Sequence, residues 1–222
     1  MSDAKKSINV KQLTIIAMLC AISYVAVLLS KLIPDVAGFL SYDPKDAVIL
    51  IGGFIYGPMT SLVISVIVSF LEMITISSTG PYGFIMNMIS TCAFSIPAAL
   101  IYKHIKSMKG AVLGLGVGVI AMTLCMLLWN YIITPLYMGV DRSVVVSMMT
   151  TVFLPFNLIK GGINAALTLV LYKPVVSALR TARMLPESTS GSRGKFRPGF
   201  FIFSLVLLVT FILLFLILLG VI

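Results

Sequence analysis

The chain has 222 residues, of which 59% are hydrophobic and only 10% are charged, and its formal net charge is +9. Soluble domains carry about 25% charged residues, so this composition excludes an ordinary soluble protein and indicates a membrane protein. The basic residues lie in short stretches between apolar segments. Their positive charge therefore indicates the orientation of the chain in a membrane rather than binding of nucleic acid.

Long uncharged stretches predict an all-α integral membrane protein with a six-helix bundle and a seventh, C-terminal transmembrane helix. The stretch 12–30 is too long for the apolar core of a signal peptide and is expected to remain as helix one. Helix two is predicted from about Pro44 to Gly57, with Asp43 as its N-cap and Pro44 as its first residue. It is only about 21 Å long, which is short for a full crossing. The later helices are expected at about 58–75, 83–102, 111–136, 143–172 and 199–222.

The stretch 47–71 leaves two alternatives, one long helix or two helices that meet at Gly57–Pro58. The choice decides which side of the membrane receives all later loops. A turn at Gly57–Pro58 places the N-terminus and most of the 16 Lys and Arg residues on the cytoplasmic side. The positive-inside rule therefore favours the turn. Lys31, Lys45 and Arg142 are then expected outside, and Lys160 within the membrane.

Four segments follow from this reading of the chain. Residues 1–11 are expected to be a cytoplasmic N-terminus, and residues 12–175 the six-helix substrate-binding membrane domain. Residues 176–198 are rich in polar residues, Gly and Pro, and are expected to be a cytoplasmic linker. The last segment, 199–222, is uniformly apolar and is expected to be an accessory helix that faces lipid.

The segment Pro155–Asn164 carries the strongest functional signal. A lysine near the bilayer centre costs about 2.5–3.5 kcal/mol on insertion scales, so Lys160 needs a compensating partner or a function. Helical spacing places Asn157, Lys160 and Asn164 on one face. Glu72, at the outer margin of helix three, is a candidate ion-pair partner for Lys160.

Further polar residues are expected at the same depth, in the outer half of the bundle. Asn87 and Asn130 lie on helices four and five, and Leu40, Tyr42, Thr79 and Gly80 lie at the outer surface. Nearby aromatic residues would add flat apolar walls; these are Phe39, Tyr42, Tyr82, Phe84, Trp129, Tyr131 and Phe156. Together they predict a pocket, open to the outside, for a flat ring compound with polar edges. The alternative is that the amides only join neighbouring helices.

Several classes of function find no support in the residues. The chain has no GxxxxGK[ST] loop, so we expect no nucleotide hydrolysis by the chain itself. Its single histidine, His104, lies in a basic cytoplasmic turn, and no catalytic residues or metal ligands are proposed. No carboxylate is expected in mid-membrane, which disfavours a proton- or sodium-coupled carrier. A binding module that depends on an external motor fits best.

Five segments together resemble a known family: Tyr42–Asp46, Ile51–Pro58, Ser77–Asn87, Trp129–Asn130 and Pro155–Asn164. They are similar to the riboflavin-specific S components of energy-coupling factor (ECF) transporters, the RibU family. The resemblance spans about residues 10–175 and leaves out the seventh helix. It implies a six-helix core with a cytoplasmic N-terminus that captures riboflavin from outside, with the first outer loop as a lid.

The resemblance also implies partners and site residues. The partners would be a transmembrane coupling protein and two ABC-type ATPases, in a multi-pass protein of the bacterial plasma membrane. Riboflavin would be cargo, and no cofactor is expected. The ligand contacts would be Asn87, Asn130, Asn157, Lys160, Asn164 and the Thr79–Gly80 turn, with Leu40 and Tyr42 in the lid.

Helix one gives a separate indication of the coupling partner. Ala17 and Ala21 form a small-xxx-small pair, which allows another helix to approach closely. The resemblance implies that this face docks on the coupling protein. The alternatives that remain are an S component for a different vitamin and a stand-alone membrane facilitator.

Overall fold

The computed structural model describes residues 10–77, 79–186 and 198–221. Most of the predicted N-terminal segment (1–11), and residues 187–197 of the predicted linker (176–198), lie outside these residues. The helices are α1 (Val10–Ser30), α2 (Lys45–Tyr56), α3 (Pro58–Thr75), α4 (Gly80–His104), α5 (Met108–Met138), α6 (Arg142–Met148), α7 (Leu154–Thr181) and α8 (Pro198–Leu218). A five-residue π-helical turn, Met149–Phe153, joins α6 directly to α7, so that α6, the turn and α7 form the long sixth helix expected from the sequence.

The described residues confirm the predicted all-α membrane fold with a six-helix core and one further C-terminal helix. Six helical segments are long and apolar enough to cross a membrane, if Arg142–Thr181 is taken as one segment. The helix α2, with 12 residues, is not among them, in agreement with its predicted short length. The part of the chain that the structure describes contains no strand, only an isolated bridge between Val36 and Leu40.

The predicted turn at Gly57–Pro58 is confirmed. Helix α2 ends at Tyr56, and Pro58 is the first residue of α3. Gly57 between them has φ 104° and ψ 172°, a conformation that a side chain would strain. Proline suits the first position of a helix because its missing N–H has no partner there. The two helices therefore form a hairpin rather than one long span.

The start of α2 differs from the prediction that Asp43 caps the helix. The N-cap is Pro44, and no side chain forms a capping hydrogen bond there. The Asp43 carboxylate instead accepts a hydrogen bond from Lys160, 117 residues further along the chain. A tertiary ion pair thus takes the place of the local cap.

The end of α7 also differs, because the helix continues beyond the expected end near Tyr172 to Thr181. Lys173 and Pro174 looked like a helix end in the sequence. In the structure Leu179 packs into the apolar cluster that contains Ile15 and Leu19 of α1. This burial favours continuation of the helix past the proline.

Helices α4 and α5 lie in close contact along a line of glycines in α5. A Cβ atom at Gly114 would lie 2.7 Å from the carbonyl oxygen of Ala98, and one at Gly118 would collide with the carbonyl oxygen of Phe94. Only a hydrogen atom fits at these two positions. The contact fixes α4 and α5 against each other, and each carries an asparagine of the site described next.

Candidate functional site

A cavity of about 190 Å³ lies between residues 31–43 and parts of α3, α4, α5 and α7. We call residues 31–44, between α1 and α2, the 31–44 loop. Six of the nine residues expected to contact a ligand line this cavity: Leu40, Thr79, Asn87, Asn130, Asn157 and Lys160. They come from the 31–44 loop, the turn before α4 and three helices, so the fold brings together residues up to 120 positions apart.

The other three expected contact residues lie outside the cavity lining. Tyr42 is buried, with its ring centroid 5.5 Å from that of Phe215 in α8. Gly80 is the first residue of α4. Asn164 is fully buried, and its amide nitrogen donates a hydrogen bond of 2.9 Å to the main-chain carbonyl of Asp43. Asn164 thus fixes the 31–44 loop to α7 in this structure.

The expected aromatic residues divide into three groups. Phe39 and Phe156 line the main cavity, and Tyr82 and Trp129 line a smaller adjoining one of about 40 Å³. Tyr42, Phe84 and Tyr131 line neither. Tyr137, which the sequence analysis did not select, lines both. Since α5 continues through Pro135 to Met138, its last turn places Tyr137 on the same face as Asn130, two turns further along the helix.

Lys160 forms its ion pair with Asp43 and not with Glu72, the partner considered from the sequence. The distance from Nζ to Oδ2 is 3.1 Å, and both side chains are buried. Burial by itself would raise the pKa of the Asp43 carboxyl, but the ammonium groups of Lys45 and Lys160 outweigh it and lower the pKa to about 2. Asp43 therefore stays ionised and compensates the charge of Lys160.

Lys45, which the sequence assigns to the outer side of the membrane, is buried within the protein. Its ammonium group contacts both carboxylate oxygens of Glu72, at 2.5 and 2.8 Å, and lies 3.9 Å from Asp43. Glu72 in turn accepts a hydrogen bond of 2.8 Å from the amide nitrogen of Asn87. Lys45 thus connects two carboxylates, one that binds Lys160 and one that binds Asn87.

Asp43 and Lys45 were not predicted from the sequence as members of the site, and neither was the pairing of Glu72 with Lys45 and Asn87. Asp46 is also buried, and its Oδ1 accepts a hydrogen bond of 2.6 Å from Thr91 in α4. Glu72, expected at the outer margin of helix three, lies in the last turn of α3 and is buried. The sequence did contain an indication of this cluster. Three of the four residues 43–46 are charged, and they lie at the start of a helix too short to reach both membrane surfaces.

Two of the asparagines also hydrogen-bond to their own helices. Asn130 donates to the carbonyl of Met126, and its oxygen accepts from Thr134. Asn157 donates to the carbonyl of Phe153, at the end of the π-helical turn. Each amide has two N–H hydrogens and an oxygen with two lone pairs, so these bonds leave capacity for a ligand. The structural and the ligand-binding interpretations of these residues are therefore compatible.

The cavity as a whole can bind a polar, uncharged ligand. Amides offer donors and acceptors, the charges of Lys160 and Asp43 balance each other, and Leu40, Met86 and Phe156 supply apolar surface. In the described part of the chain, no group of three His, Cys, Asp or Glu side chains is placed to hold a metal ion.

Ala17 and Ala21 lie on the opposite side of α1 from its buried residues. Both are exposed, and Ile15, Leu19 and Ser23 face the bundle. Neighbouring exposed residues on α1, such as Leu13 and Val25, make this an apolar surface. It is free for contact with lipid or with another helix.

Comparison with known proteins identifies the family. The model of the ECF transporter substrate-specific component matches residues 11–172, which excludes α8. The riboflavin transporter FmnP of Bacillus subtilis (strain 168) is 30% identical over 188 residues, covering 79% of this chain and 99% of that protein. The riboflavin transporter RibU of Staphylococcus aureus (strain TCH60) is 26% identical over 187 residues, covering 80% and 98%.

A solved structure of the S component of a bacterial ECF transporter has the same fold. It superposes with a TM-score of 0.65 at 29% sequence identity, covering 77% of this chain and 98% of the other. The range 11–172 matched by the family model includes every residue that lines the cavity. The chain belongs to the substrate-specific components of ECF transporters, which are multi-pass, substrate-binding membrane subunits and not enzymes.

Proposed function

We propose that this chain is the riboflavin-binding subunit of an ATP-driven ECF transporter. It captures riboflavin on the outside of the bacterial plasma membrane with high affinity. A transmembrane coupling protein and two ABC-type ATPases then provide the work that delivers the vitamin to the cytoplasm. Two relatives that match nearly over their whole length are named riboflavin transporters, which supports the choice of vitamin.

The observation that carries the proposal is the convergence of Asn87, Asn130, Asn157 and Lys160 on one cavity beside Leu40 and Phe156. The isoalloxazine ring of riboflavin is flat, and its polar edge presents one hydrogen-bond donor, the N3–H group, flanked by ring-nitrogen and carbonyl acceptors. Side-chain amides can pair with both kinds of group. The apolar residues Leu40 and Phe156 suit the faces of such a ring.

The size of the cavity supports a lid function for the 31–44 loop. Pockets for ligands of this size are usually about 300–1,000 Å³, larger than the 190 Å³ found here. Phe39 and Leu40 of the 31–44 loop line both this cavity and the smaller adjoining one. We therefore place Leu40 and Tyr42 in a lid that shifts to admit the ring.

Riboflavin titration of the purified chain tests the proposal directly. Trp129 is the only tryptophan of the chain and lines the smaller compartment, so a bound flavin should quench its fluorescence. We expect one site per chain with a nanomolar dissociation constant, equivalent to about −12 kcal/mol. A Trp129→Phe variant, studied by calorimetry, shows whether the quenching and the binding report the same event.

Competition and reconstitution separate the alternatives. If a different vitamin binds and riboflavin does not, the chain is an S component of another specificity. If the chain in vesicles moves riboflavin without ATPases, it is a stand-alone facilitator. Absence of both quenching and heat with riboflavin contradicts the proposed ligand.

A further inference from the structure

Helix α8 contacts the rest of the chain through a narrow face. Only Ser204 and Phe215 of this helix are buried, and Phe211 is partly buried between them. Residues on its other sides, such as Ile202 and Val206, are each 58% exposed. The expectation that α8 faces lipid therefore describes most of its surface, but not this line of side chains.

Gly162 of α7 receives one of the α8 aromatic rings. A Cβ atom at Gly162 would collide with the ring of Phe211. Gly162 lies two residues after Lys160, so α8 packs on α7 at about the depth of the cavity lysine but on another face of the helix. The absence of a side chain at position 162 is what permits this contact.

Phe215, one helical turn further along α8, contacts the 31–44 loop. Its ring centroid lies 5.5 Å from that of Tyr42, and both residues belong to an apolar cluster that includes Val36 and Leu40. Asp43, the residue after Tyr42, accepts a hydrogen bond from Lys160 with its carboxylate and one from Asn164 with its main-chain carbonyl. The end of the loop is thus attached to α7 by polar contacts and to α8 by apolar ones.

We propose that α8 braces the 31–44 loop and that Phe215 is a positioning residue, which acts on the ligand through Tyr42. The identity of the ligand in this inference rests on the proposed function. Because the cavity is smaller than the ligand requires, the loop must open for the ligand to enter and again for it to leave. A contact that stabilises the closed loop slows both steps.

This role predicts an unusual kinetic effect of Phe215→Ala. We expect association and dissociation of riboflavin both to become roughly 2- to 10-fold faster, as befits the loss of an aromatic pair. The dissociation constant should change less than either rate. A residue needed only for folding would not accelerate association. Stopped-flow measurement of Trp129 fluorescence quenching gives both rates. Unchanged rates in a folded Phe215→Ala protein would contradict the proposed role of Phe215.

Two controls make the test specific. Phe203, also in α8, is 54% exposed, and its ring packs against that of Phe200. The variant Phe203→Ala should therefore leave both rates unchanged. In a Tyr42→Ala background, adding Phe215→Ala should have little further effect, because the contact is already lost. An equally large effect in both backgrounds contradicts action through Tyr42.

A ligand-free measurement separates failure of this inference from failure of the proposed function. The amides of Val36 and Leu40 form main-chain hydrogen bonds within the loop. In Phe215→Ala these amides should exchange with deuterium several-fold faster than in the parent chain. If the parent does not bind riboflavin, the proposed function fails, and the exchange rates still decide on the brace. Equal exchange in both proteins overturns it.

Discussion

At the scale of single residues, Lys160 illustrates how a buried charge is accommodated. The free-energy cost of burying its charge is offset without a ligand, because the Asp43 carboxylate lies 3.1 Å from its ammonium group. Lys45, 3.9 Å from the same carboxylate, bonds to Glu72 as well. A site of this kind keeps its polar groups in place before the ligand arrives, which reduces the ordering cost of binding.

Lys160→Met should lower both stability and affinity. Removal of one partner leaves Asp43 with less compensation, which typically costs about 3–5 kcal/mol for a buried pair. Loss of a ligand hydrogen bond should weaken riboflavin binding by about 1–3 kcal/mol. Thermal unfolding in detergent and riboflavin titration measure the two effects separately.

The double variant Asp43→Asn, Lys160→Met is the matched control for the stability effect. Because it removes both charges together, it should be more stable than the sum of the two single changes implies. Strict additivity would mean that the ion pair does not contribute. Recovery of stability without recovery of affinity would assign Lys160 to the ligand as well as to the pair.

The asparagines and Lys160 could be predicted from the sequence because polar residues are rare in apolar stretches and are therefore conspicuous. Asp43 and Lys45 could not, since next to Pro44 they satisfy the local rules for a helix start. Their actual partners, Lys160 and Glu72, are 117 and 27 residues away. Because a helix start is a sufficient local explanation for Asp43 and Lys45, the sequence gives no reason to look for distant partners.

At the scale of helices, the contact between α4 and α5 depends on two glycines of α5. Gly114 and Gly118 allow the main chain of α4, at Ala98 and Phe94, to lie directly against α5. Close backbone approach of this kind is a common basis of helix association in membranes. The same contact determines the distance between Asn87 and Asn130 across the cavity.

Gly114→Ala should destabilise the bundle, whereas Gly116→Ala should not. The added methyl group at position 114 meets the Ala98 carbonyl at 2.7 Å, and such overpacking costs about 1–3 kcal/mol. At position 116 a Cβ has no neighbour within 4 Å, and alanine is the better helix former by about 0.5–1 kcal/mol. Thermal unfolding of the two variants should show shifts of opposite sign, and equal shifts would contradict close packing at Gly114.

The helices themselves were largely predictable, because hydropathy and the Gly57–Pro58 turn signal are local properties of the sequence. The residues at which the helices begin and end were less predictable. The extension of α7 to Thr181 depends on packing of Leu179 against α1. The π-helical turn at Met149–Phe153 has no signal that the sequence analysis detected, and its last carbonyl is bonded by Asn157.

At the scale of the whole molecule, the predicted family membership is confirmed, and the coupling partner remains a proposal. The exposed position of Ala17 and Ala21 on α1 leaves their face available for another helix. The cavity lies among other helices, and no residue of α1 lines it. We therefore expect that ligand binding and the proposed coupling to ATPases can be altered independently.

The double change Ala17→Trp, Ala21→Trp should leave riboflavin binding intact and abolish transport. Two indole rings on this face would prevent close approach of the coupling protein. Riboflavin titration of the purified chain and uptake into cells that contain the ATPases measure the two properties. A change of Leu29 to Trp, at an exposed residue about two turns beyond Ala21 and to one side of the Ala17–Ala21 face, serves as the control and should be tolerated better.

The order of the charged partners along the chain has a consequence for biosynthesis. Lys45 emerges from the ribosome 27 residues before Glu72, and Asp43 emerges 117 residues before Lys160. A helix as short as α2, with a lysine and an aspartate in its first turn, inserts poorly while these charges are uncompensated. We therefore expect α2 and α3 to enter the bilayer together as a hairpin, and the 31–44 loop to reach its final position only after α7 has been inserted.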